Sequence, residues 1–553
     1  MRPVLENPLY YLDNFHRVLA WIGERYSDLL DDEEQGFLAR FPTLPQNARA
    51  LFVRMVMRKG RLFRASKLAY DEIGCPRAAA APLAELGWLE ADPAVTPDEL
   101  FDLLLKAELA QVLARLCPDA APARAARKGE LLDALRAARA QAQQVSQWWP
   151  DGEDAVWHIA AQPLCDRLRL IFFGNYHQDW TEFVLSDLGV FRFEKVDFAD
   201  SARAFRTRRD IDEYLALHAC RERFGAGEDP LAVLADVPPA SSDNEWLCGR
   251  RHKLLFQMGQ QMEKLRDWPG ALAVYGDCGW PGARARIIRV LEKDEQHGPA
   301  WELLQRAQAA PESEAERQQL LRIAPRLARR LGHPVGATRR AAVDRLDLCL
   351  PLPGPDWWVE GVVRDHLASA EAPVFYVENT LINSLFGLLC WDAIFAAVPG
   401  AFFHPFHHGP ADLHSADFGR RRADRFAACF ARLGDGSYRD AIRANRRAKE
   451  GISSPFVHWG ALDDDLLELA LDCIPAPHLL AAFQRILADI KENRTGFPDL
   501  IRFWPAERRY QMIEVKGPGD RLQDNQLRWI DYCARHRMPV SVCYLQWQES
   551  VQA

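Results

Sequence analysis

The chain lacks the features that mark several classes of protein. Its 553 residues contain no run of about 20 uncharged apolar residues, which a membrane-spanning helix needs. The first eight residues, Met1-Arg-Pro-Val-Leu-Glu-Asn-Pro, lack the apolar core of a secretion signal. No two of the 12 cysteines form a Cys-x-x-Cys pair, which disfavours a zinc finger. We therefore expect a cytoplasmic protein of roughly three or four domains that binds no membrane.

An excess of basic charge is also missing. The 69 basic and 77 acidic residues give a net charge of -8, which argues against a uniformly basic nucleic-acid coat. Residues 51–70 are an exception, because they contain several bases and no acid. We predict that this segment contacts DNA phosphates, although a solvated basic helix face would have the same sequence. The predicted contacts are Arg54, Lys59, Arg61, Arg64 and Lys67.

The order of patterns along the chain predicts a multidomain and mostly α-helical protein. Residues 1–95 are expected to form a helical DNA-binding region. Residues 96–140 begin with a helix-capping Thr96-Pro-Asp-Glu. Their two leucine-rich helices, joined by a loop and a Lys-Gly pair at Lys128, resemble the SAP DNA-binding module, so Lys128 is a predicted DNA contact. Residues 141–350 show successive short helices, at 253–266, 283–292 and 298–309, as in a TPR-like array.

The last part of the chain, residues 351–553, follows a proline-rich break at Pro351-Leu-Pro-Gly-Pro and has a different character. An apolar helix is predicted over 380–397 and a second helix over about 477–491. Strands are predicted at 500–504 and 510–516 as a hairpin, then a helix over about 523–537 and a strand at 540–545. This order predicts a compact α/β domain with a mixed sheet.

The hairpin carries the residues with the clearest chemistry. Asp499 directly precedes the first strand, and Glu514 and Lys516 end the second strand on one face. Two carboxylates, with the Val515 carbonyl as a further oxygen ligand, suit Mg²⁺ or Mn²⁺. Such a metal with a neighbouring lysine is an arrangement for cleaving phosphodiester bonds. The alternative is a salt bridge on a surface hairpin.

The surrounding sequence favours the metal site. Gly496-Phe-Pro-Asp-Leu and Ile513-Glu-Val-Lys-Gly-Pro-Gly-Asp-Arg-Leu-Gln-Asp-Asn-Gln closely resemble the VRR-type nuclease domain of the Fanconi-anaemia-associated nuclease family, which has a restriction-endonuclease-like fold. Val377-Glu-Asn-Thr-Leu-Ile-Asn resembles the family as well, and the resemblance implies that Glu378 completes the metal site. Glu360 and Asp365 are nearby alternatives to Glu378. Gln526 is expected to face the strand end and to act with Lys516 in catalysis.

The resemblance implies a structure-specific nuclease that cuts branched DNA near a 5′ flap, with 5′–3′ exonuclease activity, in interstrand crosslink repair. The chain resembles a bacterial-type, nucleoid-associated member, because no Cys/His spacing supports the ubiquitin-binding zinc finger of animal members. A Holliday-junction resolvase of the same superfamily and a non-catalytic DNA-binding scaffold are alternative functions. The oligomeric state stays open. His404, His407, His408 and His414 favour an exposed or DNA-facing loop over a zinc site, and Arg420 and Arg421 are further predicted phosphate contacts.

Overall fold

A computed structural model describes residues 7–117, 126–199, 202–239, 244–334, 343–354 and 357–548. The chain divides into two compact units, and each is described by itself. The first unit comprises Met1–Arg192 and Asp200–Arg208, and the second comprises Phe193–Ala199 and Arg209–Ala553. Helices dominate the described residues, and the second unit contains a mixed sheet. The predicted fold class is therefore confirmed.

The first unit combines helices with very short strands. Its helices are α1 Tyr10–Tyr26, α2 Asp32–Arg40, α3 Gln46–Val56, α4 Pro76–Glu85, α5 Pro97–Leu103, α6 Lys106–Leu116, α7 Lys128–Ala138, α8 Val145–Trp148, α9 Gln162–Phe173 and α10 Thr181–Asp187. Its strands are β1 Leu62–Arg64, β2 Leu89–Ala91, β3 Ala94–Val95, β4 Gln143–Gln144 and β5 Val156–Ile159. Strands β1, β5 and β2 form an antiparallel sheet in that order, and β3 pairs with β4. The sequence did not predict this sheet, and β5 lies beyond residue 140, inside the region predicted as a TPR-like array.

The predicted capping motif begins α5. Thr96 accepts a hydrogen bond on its hydroxyl from the Glu99 backbone N–H, and the Glu99 carboxylate accepts one from the Thr96 N–H at 2.8 Å. This reciprocal pair satisfies two N–H groups that a helix start leaves without partners. Leucines of α5, α6 and α7, together with Trp148, form one buried cluster. The helix start predicted at residue 96 is therefore confirmed.

The second unit starts with a series of helices. They are α11 Arg208–Gly225, whose first residue belongs to the first unit, α12 Pro230–Ala235, α13 Glu245–Leu265, α14 Trp268–Gly276, α15 Ala283–Lys293, α16 His297–Ala309 and α17 Glu314–Leu331. From α13 to α17 each helix packs against the next. The helices predicted at 253–266, 283–292 and 298–309 correspond to α13, α15 and α16, which is the arrangement that a helical array requires.

The rest of the second unit is built around a five-stranded sheet. Its strands are β6 Asp344–Leu350, β7 Val374–Tyr376, β8 Leu500–Trp504, β9 Arg509–Lys516 and β10 Val540–Trp547. Their order is β6-β10-β9-β8-β7, with β10 parallel to β6 and β9 and the other pairs antiparallel. The sheet is mixed, as predicted. Strand β6 ends at the predicted boundary between residues 350 and 351, so this edge strand lies on the N-terminal side of that boundary.

Helices cover both faces of this sheet. They are α18 Val359–Leu367, α19 Leu381–Leu389, α20 Trp391–Ile394, α21 Ala423–Asp435, α22 Tyr438–Ala448, α23 Asp464–Cys473, α24 Ala476–Ala488, α25 Ile490–Asn493 and α26 Asp524–Arg535. On one face Leu500, Ile513 and Val515 join Val363 of α18 in a small apolar cluster. On the other face Ile501 and Met512 join the main core with α19, α24 and α26.

Two features of these helices differ from simple expectations. The single helix predicted over 380–397 breaks at Cys390, which separates α19 from α20. Within the described ranges, no single helix has the length and apolarity to cross a membrane. Helices α23 and α24 reach that threshold only as a pair, and the pair is bent by 108°.

Candidate active site

The β8–β9 hairpin brings the predicted carboxylates together. Leu500 pairs with Ile513, so Asp499 lies beside the end of β9. Its Oδ2 accepts a hydrogen bond of 2.8 Å from the Val515 backbone N–H. Glu514 and Lys516 lie on one face of β9, with Lys516 Nζ 2.6 Å from Glu514 Oε1. Local strand pairing thus gives the juxtaposition that the sequence spacing indicated.

Burial makes this group of charges unusual. Glu514 is fully buried, and among the described residues neither of its oxygens accepts a hydrogen bond of normal geometry. Burial and the neighbouring Asp499 raise the pKa of Glu514 to about 8, against the opposing effect of Lys516. Burial, with the charges of Glu378 and Glu360, raises the pKa of Asp499 to about 6. Two buried carboxylates with one ammonium are short of positive charge, and a bound cation would supply it.

Glu378 approaches the pair from the neighbouring strand. It follows β7, which pairs with β8, and the Val377 N–H donates a 2.8 Å hydrogen bond to the Asp499 carbonyl. The Tyr376 hydroxyl donates to Glu378 Oε2 at 2.6 Å, and the Asn379 amide donates to Oε1 at 3.2 Å. Both contacts orient the carboxylate, and the sequence predicted neither of them.

Asn379 connects the Glu378 segment to the segment before β8. Its backbone has a φ of 52°, in the left-handed region that asparagine tolerates better than most residues. Its side-chain oxygen accepts hydrogen bonds from the N–H groups of Gly496 at 2.8 Å and Phe497 at 3.2 Å. The Asn383 amide adds bonds to the carbonyls of Asn379 and Arg494. These bonds fix Glu378 relative to Asp499.

The donor set fits a hard divalent cation. Glu378, Asp499, Glu514 and the Val515 carbonyl are all oxygen ligands of the kind that Mg²⁺ and Mn²⁺ take. The Glu514 oxygens support the fit, because a fully buried carboxylate whose ion pair with Lys516 lacks normal hydrogen-bond geometry is costly. Across the described ranges, no three His, Cys, Asp or Glu side chains are already grouped closely enough to hold a metal. The structure therefore shows a set of donors and not a closed coordination shell.

Three further residues were predicted at or near the site, the acids Glu360 and Asp365 and the amide Gln526. Glu360, in the first turn of α18, contributes to the raised pKa of Asp499 and so belongs to the electrostatic environment of the site. Asp365 is exposed and pairs with its neighbour Arg364. The Gln526 side-chain oxygen accepts a 2.8 Å hydrogen bond from the Gln523 N–H and caps α26. The structure thus gives Gln526 a role in positioning that helix.

The predicted phosphate contacts fall into two groups. Lys59, Arg61 and Lys67 are exposed, and so is Arg420, at 81% of its side chain. The others make internal contacts that the sequence did not reveal. Arg64 pairs with Glu108 and Asp154 and is 10% exposed, while Arg54 pairs with Glu72 and lies over the Tyr11 ring.

The remaining two predicted contacts also have internal partners. Lys128 donates to the Phe101 carbonyl at 2.7 Å, and Arg421 pairs with Asp412 at 2.8 Å. The expectation of an exposed histidine loop is wrong for His404, which is buried. The His407 ring is stacked 3.9 Å from it and is half-buried, and desolvation lowers the pKa of His407 to about 3.

Comparison with known proteins identifies the class of the chain. The family "FAN1, HTH domain" matches residues 9–90, the "Fanconi anemia-associated nuclease SAP domain" matches residues 94–148, and the "VRR-NUC domain" matches residues 433–547. The chain is therefore a multidomain DNA nuclease, and the predicted SAP-like and VRR-type resemblances are confirmed. The N-terminal region, predicted only as helical and DNA-binding, matches a helix-turn-helix domain.

Matches over the whole chain identify the family. The Fanconi-associated nuclease 1 homologue of Pseudomonas aeruginosa is 56% identical over 546 residues, which cover 99% of this chain and 97% of that protein. The homologue of Oryza sativa is 24% identical over 96% of this chain and 62% of its own length. A crystal structure of paFAN1 bound to 2-nucleotide 5′-flap DNA with a gap has a TM-score of 0.95 at 55% identity, covering 99% of this chain and 100% of that one. The chain belongs to the Fanconi-associated nuclease 1 family.

Proposed function

We propose that the chain hydrolyses phosphodiester bonds in branched DNA near a 5′ flap, with 5′–3′ exonuclease activity, using Mg²⁺ or Mn²⁺. The observation that carries the proposal is the buried Asp499–Glu514–Lys516 group at the ends of β8 and β9, in a chain that matches paFAN1 bound to 5′-flap DNA over nearly its full length. Interstrand crosslink repair at the nucleoid, in the cytoplasm, is the proposed setting.

Each residue of the group has a proposed role. Glu378, Asp499, Glu514 and the Val515 carbonyl would hold the cation. A divalent cation bound there supplies Lewis acidity and lowers the pKa of a bound water. Lys516 favours the charged form of Glu514 and places an ammonium where it stabilises negative charge on the phosphate in the transition state. Gln526 is the second proposed catalytic residue, and its side-chain oxygen also holds the start of α26 by accepting a bond from the Gln523 N–H.

DNA contacts are proposed on the basic side chains that remain accessible. Lys59, Arg61 and Lys67 in the first unit, and Arg420 in the second, are exposed and suited to phosphate contact. Arg54, Arg64, Lys128 and Arg421 were predicted for the same role. Their internal ion pairs and hydrogen bonds support a role in holding the surrounding structure in place.

A cleavage assay tests this proposal directly. Labelled 5′-flap DNA and a Holliday junction are incubated with the protein in Mg²⁺, in Mn²⁺ and in excess EDTA. We expect flap cleavage that needs a divalent cation, and loss of cleavage with retained flap binding in Asp499→Ala and Glu514→Ala. Asp531→Ala, an exposed acid on α26, is the matched control and should cleave normally.

Each alternative function predicts a different result. Preferential resolution of the Holliday junction would favour a resolvase, and tight flap binding without cleavage in any metal would favour a non-catalytic scaffold. An Asp499→Ala protein that cuts within about tenfold of wild type would contradict the assignment, since tenfold corresponds to only about 1.4 kcal/mol of barrier.

A further inference from the structure

Large aromatic side chains are exposed beside the carboxylates. Trp357, Trp358 and Tyr376 are 39%, 48% and 43% exposed. They lie in the same short stretch of chain that carries Glu360 and Glu378. Tryptophan is normally highly buried, so neighbouring exposed aromatic residues indicate a binding surface more often than isolated ones do.

Trp358 is held in place although it is exposed. It is the residue that precedes the first turn of α18. Its ring lies over Gly361, where a Cβ atom would come within 2.7 Å of the indole. The Arg364 guanidinium lies 5.3 Å from the centre of the ring. A fixed, exposed indole loses little conformational entropy when a flat ligand stacks on it.

Trp358 and Tyr376 each lie two residues before an acid whose charge acts on Asp499. Helix α18 packs against β7 and β9, and Val359, next to Trp358, would be 3.3 Å from a Cβ atom at Gly517, which follows Lys516. Tyr376 ends β7, where its hydroxyl binds Glu378. Both aromatic residues therefore belong to elements that border the strand ends carrying Asp499 and Lys516. We name Trp358 and Tyr376 the aromatic rim.

We propose that the aromatic rim stacks on unpaired nucleobases of the substrate next to the bond that is cut. The inference deepens the proposed nuclease function and rests on it. The carboxylates next to the rim accept a phosphate only through the bound cation, so a contact to uncharged bases suits the surrounding surface better than further contacts to the DNA backbone. Aromatic side chains stack on any exposed base, whereas the bases of an intact duplex are already stacked on one another. The rim therefore favours DNA that has unpaired nucleotides at the site of cleavage.

A double-mutant cycle between protein and DNA tests this inference. Fluorescence anisotropy in EDTA measures binding of a 5′-flap DNA and of the same DNA with abasic residues in the flap. Trp358→Leu and Tyr376→Leu are expected to weaken binding of the normal flap roughly 5- to 100-fold each, and binding of the abasic flap by less than twofold. Tyr376→Phe keeps the ring and should bind like wild type.

Matched variants separate stacking from folding defects. Trp357→Leu is the control, because the Trp357 ring packs edge-on against Trp547 at 4.9 Å and is not part of the rim. If Trp358→Leu fails to fold, Trp358→Phe replaces it in the test. This variant keeps a smaller ring and should bind the normal flap with an affinity between that of wild type and complete loss of the stacking contact. The proposal would be overturned if wild type and Trp358→Leu lost the same binding affinity when the normal flap is replaced by the abasic flap. It would also be overturned if Trp357→Leu weakened binding of the normal flap as much as Trp358→Leu does.

Failure of the inference about the rim and failure of the proposed nuclease function can be distinguished experimentally. The binding cycle is measured without metal and needs no cleavage. A protein that cuts no flap in Mg²⁺ or Mn²⁺ would overturn the proposed function, and the cycle would still report whether the rim binds unpaired bases. A protein that cuts flaps but shows no coupling between the rim and the bases would overturn only the inference about the rim.

Discussion

Tyr376 carries two groups that can be separated by mutation, a ring and a hydroxyl. The hydroxyl donates a 2.6 Å hydrogen bond to Glu378, and bonds to charged groups contribute about 1.5–3 kcal/mol. Tyr376→Phe removes this bond, so that the Glu378 carboxylate is held less firmly, by the Asn379 amide. We expect the Mg²⁺ concentration for half-maximal flap cleavage to rise roughly tenfold, measured by a metal titration of initial rates. Tyr532→Phe, which removes a bond to the Ala481 carbonyl, is the control, and equal metal requirements in both variants would contradict the role.

Residue spacing predicted one half of the site and not the other. Asp499, Glu514 and Lys516 are joined by a short hairpin, so their proximity follows from local strand pairing. Glu378 was assigned by resemblance, and its place at a predicted helix start, where a carboxylate is favoured, was a second indication. The contributions of Tyr376 and Glu360 depend on β7 pairing with β8 and on α18 packing against both β7 and β9. The β7–β8 and α18–β9 contacts join positions more than 100 residues apart, and no periodicity in a single sequence encodes them.

At the scale of the element, the start of α19 depends on Asn379. Asn379→Ala would lose the bonds to Gly496 and Phe497 and put an alanine at a φ of 52°. We expect about 2–4 kcal/mol of destabilisation in denaturant unfolding, with reduced cleavage because Glu378 is no longer fixed. Asn379→Gly tolerates this φ and should recover only the part of the loss that comes from backbone strain. Unfolding curves of Asn379→Ala and wild type that coincide would rule out this role.

Element boundaries were predicted best where the apolar pattern was long. The helices of the array and strands β8, β9 and β10 lie near their predicted positions. Strand β6 was missed, although Leu346, Leu348 and Leu350 occupy every second position, with Arg345 and Asp347 between or before them, as in an edge strand. Strands β1, β2 and β5 have only three or four residues each, too few for an alternation to be distinguished from a loop.

At the scale of the whole molecule, the domain boundaries were predicted from changes in composition along the sequence. The two units of the structure are defined instead by contacts between residues. The first unit continues to Arg192, because β5 pairs with β1 and β2 and α9 packs against α1. The basic segment 51–70 therefore lies within a small helix-and-sheet domain. Within this domain, some basic side chains of the segment are exposed and others make internal contacts that hold the fold together. The pattern of charges in the sequence cannot distinguish the two kinds.

Substitutions of exposed and of internally paired basic residues in this segment are therefore expected to have different effects on DNA binding. If Lys59, Arg61 and Lys67 contact phosphates, the triple alanine variant should bind flap DNA more weakly and flatten the dependence of log affinity on log salt by roughly one unit per contact. Arg64→Ala is the matched control, since Arg64 pairs with Glu108 and Asp154 at 10% exposure. It should lower the midpoint of thermal unfolding and leave the salt slope unchanged, because it releases no counterions from DNA. The measurement is an anisotropy titration across salt concentrations, with both variants carrying Asp499→Ala to prevent cleavage. An unchanged slope in the triple variant would place these three residues outside the DNA interface.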